Sequence, residues 1–385
     1  MKIALVKRRF SLRHGGSERY CVNLSRQLQQ AGHKVTIIGE TIDEELQNEV
    51  SFVPVCPNRL TSWTSNRSFA EQCGKAAKQG KYDITYGIGR SFGLDAVRVT
   101  ERLQSHWVRV HYRHPVKQML QRLNPRHRTL IDLERTIYQS KNVRRIVTQS
   151  QLDKKLVSEY YNIPEEKIQI IYNGVDTTLF NPSLKSERNK LRDELNICQD
   201  APLIIFASMD FEGKGLRSIL NAIKKAKHSK THLLVLGTGP EIKFKGIAKE
   251  LGVGHRIVFA GRRNDIQRCY GAGDLFLLPT AYEPFPNVNL EAMACGLPVV
   301  TTLTAGGADI IQEKKNGYLI SNVNAVDEMT YCIDHFFSLS DTQHAKMSAN
   351  CWDVAQKMTL QKNVQQTVAL FQEVLDEKNR CSLHV

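Results

Sequence analysis

The stretch AYEPFPNVNLEAMACGLPVV, Ala281–Val300, holds two carboxylates, Glu283 and Glu291, with seven residues between them. Pro284 and Pro286 keep Glu283 out of any helix, so the spacing predicts a helix that starts near Asn287 or Asn289 with Glu291 in its first turn. A loop carboxylate and a helix carboxylate can then converge on one ligand. The same helix start offers N–H groups near Asn287 to Asn289 that suit a phosphate. Carboxylates for hydroxyls beside amides for phosphate describe a nucleotide-sugar site. The spacing alone equally allows Glu291 to complement the helix dipole, worth ~0.3–1 kcal/mol, and Glu283 to be a solvated loop residue.

Working outward, the stretch lies inside a strand–helix alternation. LIIFAS (203–208), HLLVLG (232–237), RIVFAG (256–261), DLFLLP (274–279) and PVVTT (298–302) read as buried strands, with helical spacing between them. A first series precedes it: KIALV (2–6), a helical GGSERYCVNLSRQLQQAG (15–32) ending at Gly32, KVTIIG (34–39), then strands at 83–88, 145–148 and 167–171. Two such series predict two doubly wound parallel-sheet domains with the ligand site in the cleft between them. The expected limits are 1–173, a polar linker at 174–198 that includes NPSLKSERNKLRDEL, 199–358, and a last helix at 359–385 that returns to the first domain.

A chain of 385 residues exceeds the ~250–300 that one core usually serves, which agrees with two domains. MKIALVKRRF has too short an apolar run for a signal peptide, and no segment approaches the ~18 apolar residues of a membrane span. A cytoplasmic protein is expected. Nine cysteines without a Cys-x-x-Cys pair suggest reduced thiols. The net charge of +14 is uneven, since residues 1–173 hold 29 Lys/Arg against 16 Asp/Glu and the remainder 24 against 23. The first half therefore expects an anionic partner.

With these residues in view, GAGDLFLLPTAYEPFPNVNLEAMACGLPVVTTLTAGGADII (271–311) resembles the carboxy-terminal signature of the family-4 retaining glycosyltransferases, which have the GT-B fold: two Rossmann-like domains facing across a cleft. IIYNGVDTTLFNP (170–182), GGSER (15–19) and DFEGKG (210–215) resemble that family's interdomain, glycine-loop and diphosphate-loop patterns. RHRTLIDLERTIYQ (126–139) and FAGRRND (259–265) are most similar to the bacterial lipopolysaccharide core glucosyltransferases.

The resemblance implies that Glu291 accepts hydrogen bonds from ribose hydroxyls and that Glu283 lies near the donor sugar. Phe285, Asn287 and Val288 around Pro286 would meet the diphosphate through their amides. Lys214 would stabilise the leaving nucleoside diphosphate, Gly15 and Gly16 would let backbone approach it, and Arg262 or Arg263 would line the base pocket. His106 is the candidate in the acceptor cleft. Relatives commonly place an arginine before the lysine, where this chain has Gly213; Arg217, Arg262 or Arg263 would then substitute. No Asp-x-Asp stands at a strand end, so neither a metal nor another cofactor is implied, and front-face attack needs no enzymic nucleophile.

From Arg102 to Ile131 the chain has no Asp or Glu, yet it has Arg109, Arg113, Lys117, Arg122, Arg126 and Arg128. After Pro115, apolar Val116, Met119, Leu120 and Leu123 recur at helical spacing opposite Lys117, Gln118, Gln121 and Arg122. Such a stripe packs on its own domain or lies on an anionic membrane. The reading is a hexosyltransferase, moving glucose or another hexose from a UDP-sugar to a lipopolysaccharide-core or other glycolipid acceptor, peripheral on the inner face of the cytoplasmic membrane. The alternatives are a GT-B nucleotide-sugar epimerase, a catalytically impaired relative, and a nucleic-acid-binding protein. The last lacks aromatic interleaving or a recognisable module, so no nucleic-acid partner is expected.

Overall fold

The computed structural model describes residues 1–13, 15–112 and 114–382. Two compact units emerge, one built from Met1–Asn173 with the helix that begins at Leu360, the other from Gly174–Thr359.

Unit 1 is a seven-stranded sheet of β1 (Lys2–Val6), β2 (Lys34–Gly39), β3 (Ser51–Pro54), β4 (Ile84–Ile88), β5 (Ala96–Arg98), β6 (Arg145–Thr148) and β7 (Ile168–Ile170). The order is β3-β2-β1-β4-β5-β6-β7, every pair parallel. Ala4 of β1 stands between Thr36 and Thr85, so strand order reverses between β1 and β4. Crevices outside the carboxyl ends of strands at such reversals are where ligands bind in open α/β sheets. Continuous apolar runs fit strands covered by helices on both faces. Here these are α1 (Gly16–Gln30), α2 (Ser62–Gln79), α3 (Gln104–His111), α4 (Pro115–Leu123), α5 (Pro125–Tyr138) and α6 (Gln151–Tyr161). Strands β3 and β5, which the sequence reading passed over, have four and three residues, too few to show a period.

Unit 2 contains α7 (Arg188–Glu194), β8 (Leu203–Ser208), α8 (Leu216–Lys225), β9 (His232–Gly237), α9 (Glu241–Glu250), β10 (Ile257–Gly261), α10 (Ile266–Ala272), β11 (Leu275–Leu278), α11 (Asn287–Ala294), β12 (Val299–Thr302), β13 (Gly317–Ile320), α12 (Val326–Phe337) and α13 (Asp341–Lys357). Its all-parallel order, β10-β9-β8-β11-β12-β13, reverses between β8 and β11.

The stretch 174–198, expected as a linker, is folded into unit 2. Arg192 of α7 is fully buried, donates to the carbonyl oxygens of Ala272 (3.1 Å) and Ala201 (2.7 Å), and pairs with Asp274 (3.1 Å). Arg188 pairs with Asp274 at 2.8 Å, and Glu187 and Glu194 both reach Arg268. The polarity that reads as solvation is therefore internal ion pairing. The last helix, α14 (Leu360–Ser382), belongs to unit 1. Its Val364, Leu370, Phe371 and Val374 enter the unit 1 core, with the Phe371 ring edge-on to Tyr86 at 5.0 Å.

Candidate functional site

In unit 2, the loops that leave β8 and β11 at the strand reversal carry Lys214 and Glu283. The first loop is a tight turn. Ser208 Oγ accepts from the Asp210 amide (2.8 Å), Asp210 Oδ1 accepts from the Gly213 amide (2.9 Å), and Gly215 turns into α8 with φ of +78°. A side chain on Gly215 would meet the Pro279 carbonyl oxygen at 2.6 Å, so only glycine lets these two loops lie side by side. Across that contact the Lys214 ammonium donates to the Glu283 carboxylate, forming an ion pair between residues 69 apart in sequence. Glu283 is held in place by its own carbonyl, which accepts from Gly306 (2.9 Å) in a bridge with Ala305.

Pro286 caps α11, which begins at Asn287. Glu291 lies in its second turn rather than its first, four residues after Asn287 and so on the same face. Tyr270 donates to Glu291 at 3.3 Å, and the phenol is pushed well above its ordinary pKa by burial and then by the Glu291 charge. Of the amides expected for phosphate, that of Asn289 is already spent on the Pro286 carbonyl (3.0 Å). Asn287 and Val288 stay half-buried at the helix mouth beside buried Phe285 and Pro286.

The cations considered as substitutes at Gly213 are differently placed. Arg263 makes a two-pronged contact with Asp265 (2.8 and 2.7 Å), whose carboxyl drops to about 2, chiefly through that hydrogen bond. Arg217 pairs with Glu212 at 3.6 Å, a carboxylate also held by Lys243 at 2.6 Å, and Arg262 is exposed. Lys214, by contrast, pairs with Glu283. Sequence reasoning missed Asn289, fully buried with neither amide atom bonded, Tyr270 behind Glu291, and Asp210. An asparagine inside the apolar run NLEAMA was the visible signal for the first.

In unit 1 a cavity of about 160 Å³ lies at the carboxyl ends of β1 and β4. Lys7, Arg8 and Arg9 leave β1 into it, Arg90 leaves β4, and Glu18 and Glu101 complete the charged lining. Gly15 caps α1 at φ −67°, so no left-handed conformation demands glycine there; Gly16 begins the helix. The Glu18 carboxylate reaches back to 3.3 Å from where a Gly15 side chain would start and pairs with Lys7 at 3.5 Å.

His106 is not among the cavity residues. It sits on α3, half-buried, with Nδ1 at 3.3 Å from the Tyr160 hydroxyl, and its pKa is lowered to about 4 by burial and then by Arg109. It is a neutral imidazole at ordinary pH. On α4 no residue is buried: Val116, Met119, Leu120 and Leu123 are 53, 61, 56 and 68% exposed. The apolar stripe does not pack on its own unit. Arg113 lies outside the described residues.

Known proteins resemble the chain over most of its length. Residues 14–179 match the family model for glycosyltransferase family 4, and residues 187–351 that for glycosyl transferases group 1. An uncharacterized glycosyltransferase of Methanocaldococcus jannaschii is 28% identical over 61% of this chain and 61% of its own length. The lipopolysaccharide glucosyltransferase WaaG of Escherichia coli K12 is 24% identical over 80% of this chain and 82% of its own. A crystal structure of WaaG superposes with a TM-score of 0.82 at 22% identity, covering 96% of this chain and 99% of that one. HepE of Anabaena, crystallised with UDP-glucose, gives 0.74 at 20% identity, covering 97% and 100%.

Proposed function

Because the chain belongs to the group 1 and family 4 glycosyltransferases, we propose that it is a retaining enzyme that transfers a hexose, glucose in the first instance, from a UDP-sugar to a lipopolysaccharide-core or related glycolipid acceptor. One observation carries the donor half of this reading: Lys214 and Glu283 converge at the strand reversal of unit 2, Glu283 from the loop that leads into α11. The E. coli relative is named for glucosyl transfer to lipopolysaccharide, and HepE holds UDP-glucose, which supports both donor and acceptor class.

In this mechanism Glu291 accepts from the ribose hydroxyls and Glu283 from a hydroxyl of the sugar. The diphosphate lies against the first turn of α11, where the helix dipole favours negative charge. As the sugar–phosphate bond breaks, negative charge grows on the departing diphosphate. Lys214 exchanges part of its contact with Glu283 for that charge and so stabilises the transition state more than the ground state. A leaving phosphate oxygen takes the proton of the incoming acceptor hydroxyl on the same face, which preserves the anomeric configuration. Gly15 and Gly16 keep side chains away from the diphosphate, and Arg262 with Arg263 borders the base. His106 is an uncharged hydrogen-bonding group on the acceptor side.

The acceptor's lipid anchor would be met by α4, whose exposed apolar stripe and neighbouring Lys117, Arg122, Arg126 and Arg128 suit an anionic surface at about 1 kcal/mol per basic residue. Thermal stabilisation across a panel of nucleotide sugars tests the donor assignment. A UDP-hexose at 100 times its Kd should add about 2.7 kcal/mol. A panel in which no nucleotide sugar raises Tm would remove the proposal. Conversion of the donor without any acceptor would instead mark an epimerase.

A further inference from the structure

The unit 1 cavity contains more than hydroxyl-binding groups. Its 160 Å³ is many times the ~10–15 Å³ that one water needs, room for one sugar ring. Most of its charges are already paired. Lys7 is taken by Ser17 (2.8 Å) and Glu18, Arg90 by Glu134 (2.5 Å) and Glu101, and Arg8 by Asn66 (3.0 Å), the Ser65 carbonyl oxygen (2.9 Å) and Glu40 (3.5 Å). Arg9 differs. Its side chain is exposed on the cavity wall, and it has no hydrogen bond or ion pair among the described residues.

Its backbone is nonetheless fixed, because Arg9 and Phe10 pair with Thr41 and Ile42 in a short parallel ladder. A guanidinium with an anchored backbone and no partner among the described residues, next to a second one, keeps its donors open to an anion. The proximity is felt by Arg8, whose pKa is lowered by burial and further by Arg9. Glu18 and Glu101, paired with Lys7 and Arg90, present oxygens that accept from hydroxyls. A ligand that offers hydroxyls to two carboxylates and an anionic group to a guanidinium is a sugar that bears a phosphate or a carboxylate.

Resting on the glycosyltransferase reading, we propose that this cavity receives the acceptor sugar and that Arg9 selects an acceptor ring carrying phosphate or carboxylate. The donor's diphosphate is the other source of the same chemistry. Competition with UDP tells the two sources apart.

The full-length protein is titrated by ligand-observed NMR with mannose, mannose 6-phosphate and glucuronate, with and without saturating UDP. The anionic sugars should bind roughly ten-fold more tightly than mannose, the scale of one hydrogen bond to a charged group. Arg9→Ala should bring all three within about three-fold of one another, and Arg9→Lys should keep part of the preference. UDP should not displace them. The exposed position of Arg9 predicts an unchanged Tm, which separates lost recognition from lost fold. Equal binding of neutral and anionic sugars, an intact preference in Arg9→Ala, or no binding by any of the three overturns the assignment. Displacement of mannose 6-phosphate by UDP also overturns it and gives the cavity to the diphosphate. Failure of UDP to bind the wild-type protein strikes the donor reading instead, and is seen separately from the sugar series.

Discussion

Lys214 and Glu283 share one ion pair but should respond oppositely to removal of the partner. Lys214→Ala should cost about 10²–10³ in kcat, the scale for a lost stabiliser of developing charge. A kcat within a few-fold of wild type would pass that role to Arg217 or Arg262. Glu283→Gln releases the ammonium from a carboxylate that competes with phosphate, so UDP alone should bind more tightly while sugar transfer falls. Calorimetry with UDP decides, and weaker binding would mean that Glu283 orders Lys214 rather than competes for it. Glu291→Ala should weaken UDP by about 1.5–3 kcal/mol. His106 offers a pH test. Its pKa falls from the ordinary 6.5 to about 4 in the fold, so the unfolded chain binds the extra proton first. The native contribution is complete above pH 6.5 and is lost as pH falls towards 4. Thermal scans should therefore show wild type losing stability relative to His106→Gln as pH falls from 7.5 to 5. At this scale the motif names Glu283 and Glu291 by residue type, and the structure brings Glu283 to Lys214 and Glu291 to Tyr270. The sequence was silent on Tyr270 and Asn289, because burial and partner choice are settled by distant segments.

At the scale of single elements, two segments of similar polarity met different fates. In α7 the arginines and glutamates turn inward, and Arg192 alone serves several carbonyl oxygens and Asp274. Arg192→Ala should destabilise unit 2 by about 2–5 kcal/mol, because the carbonyl oxygens it serves lose their donor at about 1–3 kcal/mol for each left unsatisfied, and urea unfolding would register it. Helix α4 is the converse: its leucines and methionine face outward, so Leu120→Glu should change stability by no more than about 0.5 kcal/mol. The same change should abolish sedimentation with anionic vesicles, and Lys117, Arg122 and Arg126 replaced together by Glu should do so at low salt. Vesicle binding that survives both variants would rule α4 out as the contact. Periodicity located α4 but not α7, whose stretch read as a polar linker, and it could not tell what α4 would cover, since an amphipathic pattern reads the same against protein or lipid.

For the molecule as a whole, two parallel sheets were legible because doubly covered strands are written as unbroken apolar runs, such as LIIFAS and HLLVLG. The short edge strand β3 and the three-residue β5 left no comparable trace. Phe371 has a wider effect than its contact with Tyr86. Residues from the far end of the chain complete a core whose other members, from Ile3 to Ile171, are synthesised first. At about 5–20 residues per second of synthesis, the early portion waits tens of seconds with part of its apolar surface uncovered, while unit 2 can close on its own. The segment made first thus finishes folding last, and nascent chains stalled before Leu360 should resist protease over 174–359 while remaining cleavable within 1–173.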